Sequence, residues 1–266
     1  MTTGFSIPSR AIIPFLALAF GLAWGLFVVL LTIPDTVAEV FGPMSASNPL
    51  FILAVYSPAL AAFIVLVLYG GVTAIRPFAK RLLLWRISPI WLAFVVLGIP
   101  AVHVVGAAIK GGPLVAPLPE GGMSGLLGVL AFMLLLGPVE ELGWRGIALP
   151  ILQRHMAPLW AGIVLGLIWG IWHLPAFLAS GTPQSGWSFM PFLGGAVAVS
   201  VILVPLFNAT RGSLLWAALF HFQLNNPLSP DGQPWDMAVF ALVAVIVVVL
   251  NRETMLKRGH GVTQVT

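Results

Sequence analysis

The chain has 266 residues, 59% of them hydrophobic and only 8% charged, so it holds too few charges to cover a water-facing surface and reads as an all-α, polytopic membrane protein. Its formal charge of +4 comes from 12 basic residues set among apolar ones, which form no nucleic-acid-binding face and fit membrane topology instead. Cysteine is absent, which removes disulfides, thiolate metal sites and cysteine nucleophiles together.

Taken in chain order, the apolar runs cover residues 11–33, 50–71, 89–109, 125–138 with a continuation beyond, 157–179, 189–207, 212–224 and 236–250. These predict about eight transmembrane helices around a buried polar cavity. The first run exceeds a signal-peptide core and ends at Pro34-Asp35, so it reads as a span. Barrel-type alternation is absent, which leaves helices as the spanning element.

Loop charges test the count independently. With an inside N-terminus, the inside segments hold Arg10, Arg76, Lys80, Arg81, Arg86, Arg154, Arg211, Arg252, Lys257 and Arg258, against Lys110 alone outside. That asymmetry predicts a multi-pass protein of the cell membrane with both termini cytoplasmic. Residues 74–88 place Ile75, Phe78, Leu82 and Trp85 mostly on one helical face with Arg76 and Lys80 opposite. This suits either an interfacial helix or a charged topogenic loop. No repeat or extramembrane segment interrupts the chain, so residues 1–266 are expected to form one integral-membrane domain with a motif-bearing core at 137–226.

Three charges remain once the loops are assigned: Glu140, Glu141 and Arg145, within an otherwise apolar helix. Each costs roughly 2.5–3.5 kcal/mol on insertion scales, and such residues usually mark function. Glu141 and Arg145 are four apart and can pair on one face, which leaves Glu140 free. A buried ion-pair cluster that merely holds helices together is the bland alternative.

Histidines supply the partners. His103, in the third run, has no polar companion and reads as a packing residue. His173 follows Trp169 by four residues, and His221 precedes Asn225 by four, so the latter two share a helical face. If the fourth and fifth spans turn near residues 155–157, Glu140 and His173 each lie about 24 Å from the turn. His221 and Asn225 lie about 15 and 21 Å from Arg211, which brings all four groups near one level. A carboxylate held out of water is a competent general base, and histidine and asparagine donors can hold the oxyanion of an attacked amide. Equally, Glu140, His173 and His221 form a set that could bind zinc with water in the fourth position.

In order, Glu140-Glu141-x-x-x-Arg145, the aromatic-x-x-x-His173 step and His221-x-x-x-Asn225 resemble the three motifs of the CPBP intramembrane proteases. That family, also called Abi, includes type II CAAX prenyl endopeptidases and bacteriocin self-immunity proteins. The segment from Asn208 to Leu215 resembles the family as well, and the likeness covers about residues 137–226. It implies an endopeptidase that cleaves a membrane-associated or prenylated substrate, with Glu140 activating water, His173 assisting, and His221 and Asn225 holding the oxyanion. Glu141 and Arg145 would orient Glu140. Members are often classed as metalloproteases, and a metal-free glutamate mechanism has also been argued for them. Trp169 stands where the second motif usually has Phe; it keeps an aromatic there and would narrow the cavity.

Other protease classes fit less well. The chain lacks His-Glu-x-x-His, and no aspartate is expected within a span. Ser124, in Gly122-Met-Ser124-Gly125, matches a short rhomboid pattern but sits among turn residues and leaves Glu140 and Glu141 unexplained. A non-enzymatic immunity or scaffold protein that binds a toxin or partner is the alternative from another class. A transporter would spread polar groups over several depths. The cavity is expected to open on the side of Arg145, Arg154 and Arg211.

Overall fold

Helices follow the apolar runs, and prolines decide where they begin and bend. The computed structural model describes residues 7–266 and, among these, contains helices and turns but no strand. Helix α1 (Ile12–Thr32) is followed by α2 (Pro34–Phe41), α3 (Pro49–Val55) and α4 (Ser57–Gly70), the last two forming a pair bent by 52°. Prolines at the first or second position of α2, α3 and α4 sit where the missing N–H has no helical partner to lose. Next come α5 (Ile75–Lys80), α6 (Pro89–Lys110), α7 (Gly122–Gln153), α8 (Pro158–Trp172), α9 (Phe189–Ala209), α10 (Leu214–Leu224) and α11 (Trp235–Leu250).

The all-α, multi-pass class stands, while helix length alone supports fewer than eight full spans. Residues 9–32, α6, α7 and α9 are each long and apolar enough to cross a bilayer, and the bent α3–α4 pair makes a fifth if it is one span. Helices α8, α10 and α11 occupy the other three runs with only 15, 11 and 16 residues. At 1.5 Å per residue these reach about 22, 16 and 24 Å, short of a hydrocarbon core of about 30 Å. The run at 157–179 is longer than its helix because a 3-10 turn, Leu174–Phe177, replaces α-helix after His173.

Arg154, beside the α7–α8 turn, donates to the carbonyls of both Ile7 and Thr263. The two ends of the described chain therefore meet at one end of the bundle. At the opposite end Lys110 pairs with Asp231 at 2.7 Å.

Close helix contact comes from small residues. On α8, Gly162, Gly166 and Gly170 repeat every four residues along the face that meets α9. A Cβ on Gly166 would lie 2.5 Å from Val197 Cα, and one on Gly162 would lie 3.2 Å from Val201 Cα. Lipid offers no hydrophobic drive to pair helices, so close backbone approach supplies the attraction instead.

Helix α7 contains a wider π turn, Trp144–Ala148, for an identifiable reason. Pro150 has no N–H to give the carbonyl of Gly146, and the Leu149 N–H is diverted to Trp144, which also frees the carbonyl of Arg145. Arg81 takes both, with Nη1 2.9 Å from Gly146 O and Nη2 3.3 Å from Arg145 O, and reaches Gly212 O and Val265 O at 2.9 Å each. Its guanidinium packs against the rings of Phe78 and Phe207, and burial pushes its pKa down to about 10, so it stays charged at neutral pH. The 74–88 segment is accordingly a broken helix rather than one amphipathic helix: Arg81 points inward, while Leu82 and Trp85 are exposed. Arg81→Met is expected to leave four carbonyls without this donor and to lower stability by about 3 kcal/mol. Hydrogen exchange across residues 260–266 should accelerate in that variant, because Val265 loses its anchor.

Candidate active site

Pro138 cannot donate to the carbonyl four residues back, and α7 tightens there into a 3-10 turn, Pro138–Glu140. That turn carries Glu140 and Glu141 into the bundle interior, where they are 4% and 1% exposed, with Arg145 fully buried one turn on. The two adjacent carboxylates meet different partners. Glu141 Oε1 accepts from Arg145 Nη1 at 3.0 Å and lies 2.7 Å from His221 Nδ1 on α10. Glu140 Oε2 accepts from the indole N–H groups of Trp169 at 2.8 Å and Trp144 at 3.3 Å. Glu141 thus contacts both Arg145 and His221, whereas two tryptophans contact Glu140.

His173 caps α8, its Nδ1 2.8 Å from the carbonyl of Trp169, so the ring N–H is given inward and Nε2 is left as an acceptor. Aromatic edges of Trp169, Trp172 and Phe192 surround it. Asn225 is the C-cap of α10, one residue past the helix end. Its amide and the His221 ring converge on Gly137: a Cβ there would collide with Asn225 Nδ2 and lie 3.0 Å from His221 Nε2. Gly137→Ala is therefore expected to displace the Asn225 amide and to cut turnover by about 10²-fold, since small misplacements at a reacting centre cost that much. Backbone hydrogen exchange in α7 and α10 should stay near wild type, because Gly137 has an ordinary helical φ of −71°.

Glu140, His173, His221 and Asn225 all line one cavity of about 490 Å³, whose remaining wall is largely apolar and includes Phe51, Trp172, Phe192 and Met237. Glu141 and Arg145 lie behind that wall. The cavity extends toward residues 183–187 and 226–233, which follow the ends of α8 and α10 farthest from Arg154 and Arg211. This corrects the expected direction of opening. The basic end is closed by Arg81, by Arg154 with residues 7 and 263, and by Gln153 bridging Asn208 and Val262. Arg145 is fully buried and marks no opening.

Two further expectations are overturned. His103 is not without a companion: its Nδ1 lies 3.3 Å from Asp236 Oδ2, and its ring meets the Phe240 edge. Asp236 is the second residue of α11 and only 3% exposed, so an aspartate does lie buried within a membrane-facing helix. Gly106 permits the pairing, since a Cβ on it would lie 2.6 Å from Asp236 N. Ser124 is exposed and donates to Gly121 O at the start of α7, a helix-end role.

The zinc alternative turns on the arrangement of the donor side chains. Among the described residues no three His, Asp or Glu side chains come together as ligands for one ion, and Glu140 Oε2 already accepts two indole N–H groups. Glu140, His173 and His221 are therefore not gathered as a three-ligand centre among the described residues. Sequence spacing misses the two indole donors, although Trp144 stands four residues from Glu140, a spacing that places them on one face.

Comparison with known proteins agrees with the motifs. Residues 122–226 match the family model described as type II CAAX prenyl endopeptidase Rce1-like. The chain is also similar to CAAX prenyl protease 2 of Methanococcus maripaludis, at 27% identity over 141 residues, covering 49% of this chain and 52% of that protein. The chain therefore spans about half the length of the curated relative it matches. Residues 122–226, which carry the three motifs, are thus similar to the type II CAAX prenyl endopeptidase Rce1-like family.

Proposed function

We propose that this protein is an intramembrane endopeptidase that hydrolyses a peptide bond of a prenylated or otherwise membrane-associated substrate with water activated by Glu140. The observation that carries this is the convergence of Glu140, His173, His221 and Asn225 on one apolar-walled cavity within the helical bundle. Glu140 Oε1 takes a proton from water while His173 Nε2 accepts the second hydrogen, and the oxygen attacks the carbonyl carbon. Asn225 Nδ2 and His221 Nε2 donate to the oxyanion. Because His221 Nδ1 faces Glu141, Nε2 carries a hydrogen only when the ring is doubly protonated. Two carboxylates are then balanced by Arg145 and His221, and the buried cluster has no net charge. Glu140 returns its proton to the leaving amine as the carbon–nitrogen bond breaks, which restores the carboxylate.

The apolar wall suits a lipidated segment delivered from the bilayer, and the relative's name points to CAAX-type C-terminal peptides. The asymmetry of the loop charges supports a cell-membrane location with both termini cytoplasmic. A survey of peptide termini in membranes from cells making wild type or Glu140→Gln at equal levels tests the reading. New termini confined to wild type support proteolysis and name substrates. Identical termini favour the scaffold alternative, in which Glu140 has no chemistry to perform.

A further inference from the structure

Trp169 touches four of the six polar residues that the motifs bring together. Its indole N–H donates to Glu140 Oε2 at 2.8 Å, its ring meets those of His173 and His221 at 5.3 and 5.5 Å, and the Arg145 guanidinium lies 5.2 Å from it. Trp144 adds a second indole N–H to the same oxygen at 3.3 Å. Glu140 Oε1, by contrast, accepts no hydrogen bond from the described residues and is not among the buried atoms lacking a partner. Two donors on one oxygen and none on the other make the carboxylate unsymmetrical in a fixed sense. An indole nitrogen donates only, so neither tryptophan can compete for the proton.

We infer that Trp169, with Trp144 in support, is a positioning residue that holds Oε2 and so presents Oε1 as the oxygen that works on water. This rests on the proteolytic reading above and deepens it. The donated N–H groups do two things. They stop rotation of the carboxylate about its terminal torsion, which is otherwise broad. They also offset the cost of burying a carboxylate without placing a cation against it, which leaves the free oxygen basic. Arg145 and the His221 ring are both directed to Glu141 instead.

The test removes the N–H while keeping the ring. Trp169→Phe and, as the near-isosteric control against a packing defect, benzothienylalanine in place of Trp169 are compared with Trp144→Phe. The assay uses the full-length protein in bilayer nanodiscs with a prenylated C-terminal peptide. Loss of the shorter bond is expected to lower kcat by about tenfold with KM within about twofold, and loss of the longer Trp144 bond by less. Independently of turnover, the infrared carboxylate band isolated by subtracting each protein's Glu140→Gln counterpart is expected to move when the Trp169 N–H is absent. An unmoved band, or benzothienylalanine protein turning over at the wild-type rate, overturns the assignment while leaving the protease reading intact. Absence of cleavage by wild type condemns the protease reading instead, and the band still decides whether Trp169 holds Oε2.

Discussion

Glu140→Gln is expected to lower turnover by about 10²–10⁴-fold, the range ascribed to a general base, with the protein's yield and thermal midpoint close to wild type. The substitution is nearly isosteric, and the Gln side-chain oxygen can still accept from Trp144 and Trp169, so neither indole N–H is orphaned. What disappears is the capacity to take a proton from water. Cleavage rates from equal amounts of folded protein separate this from misfolding. Retention of more than a tenth of the wild-type rate would remove Glu140 from the chemistry.

Glu141→Ala is expected to act through stability, by about 3–5 kcal/mol, because it strands a fully buried Arg145 without its partner and cuts His221 loose. Arg145 Nε and Nη2 already lack partners, so the pair has no reserve of hydrogen bonds on which to fall back. The double variant Glu141→Ala/Arg145→Met should recover much of that loss, since replacing a whole buried ion pair by apolar groups is often neutral. It should not recover cleavage, because His221 Nδ1 would still be unanchored. Thermal unfolding of the two singles and the double in one detergent measures the coupling. Additive losses would show that Glu141 and Arg145 act separately.

The class of fold was legible because hydropathy reports the solvent, and every apolar run carries a helix. Helix lengths were not, because the run at 157–179 continues apolar through the 3-10 turn that Pro175 enters after His173. The convergence of Glu140 and His173 was legible from their symmetric spacing about the α7–α8 turn. The partner of Glu141 on α10 was not, since a helix wheel places Arg145 on its face but says nothing of which neighbour delivers His221. The same blindness hid the pairing of His103 with Asp236, whose helices lie far apart in the chain. Pro150 signals a disturbed helix, yet nothing local reveals that Arg81 would collect the carbonyls it frees. The four-residue spacing of Gly162, Gly166 and Gly170 was a readable signal of close packing on α8.

Release of the C-terminal fragment from a prenylated peptide by the purified protein in bilayer nanodiscs, beside Glu140→Gln of equal yield, tests most directly whether Glu140 drives hydrolysis. Fragment release by wild type and none by the variant is the expected result. Equal release by both, or none from folded wild type with any membrane-delivered peptide tried, would contradict it.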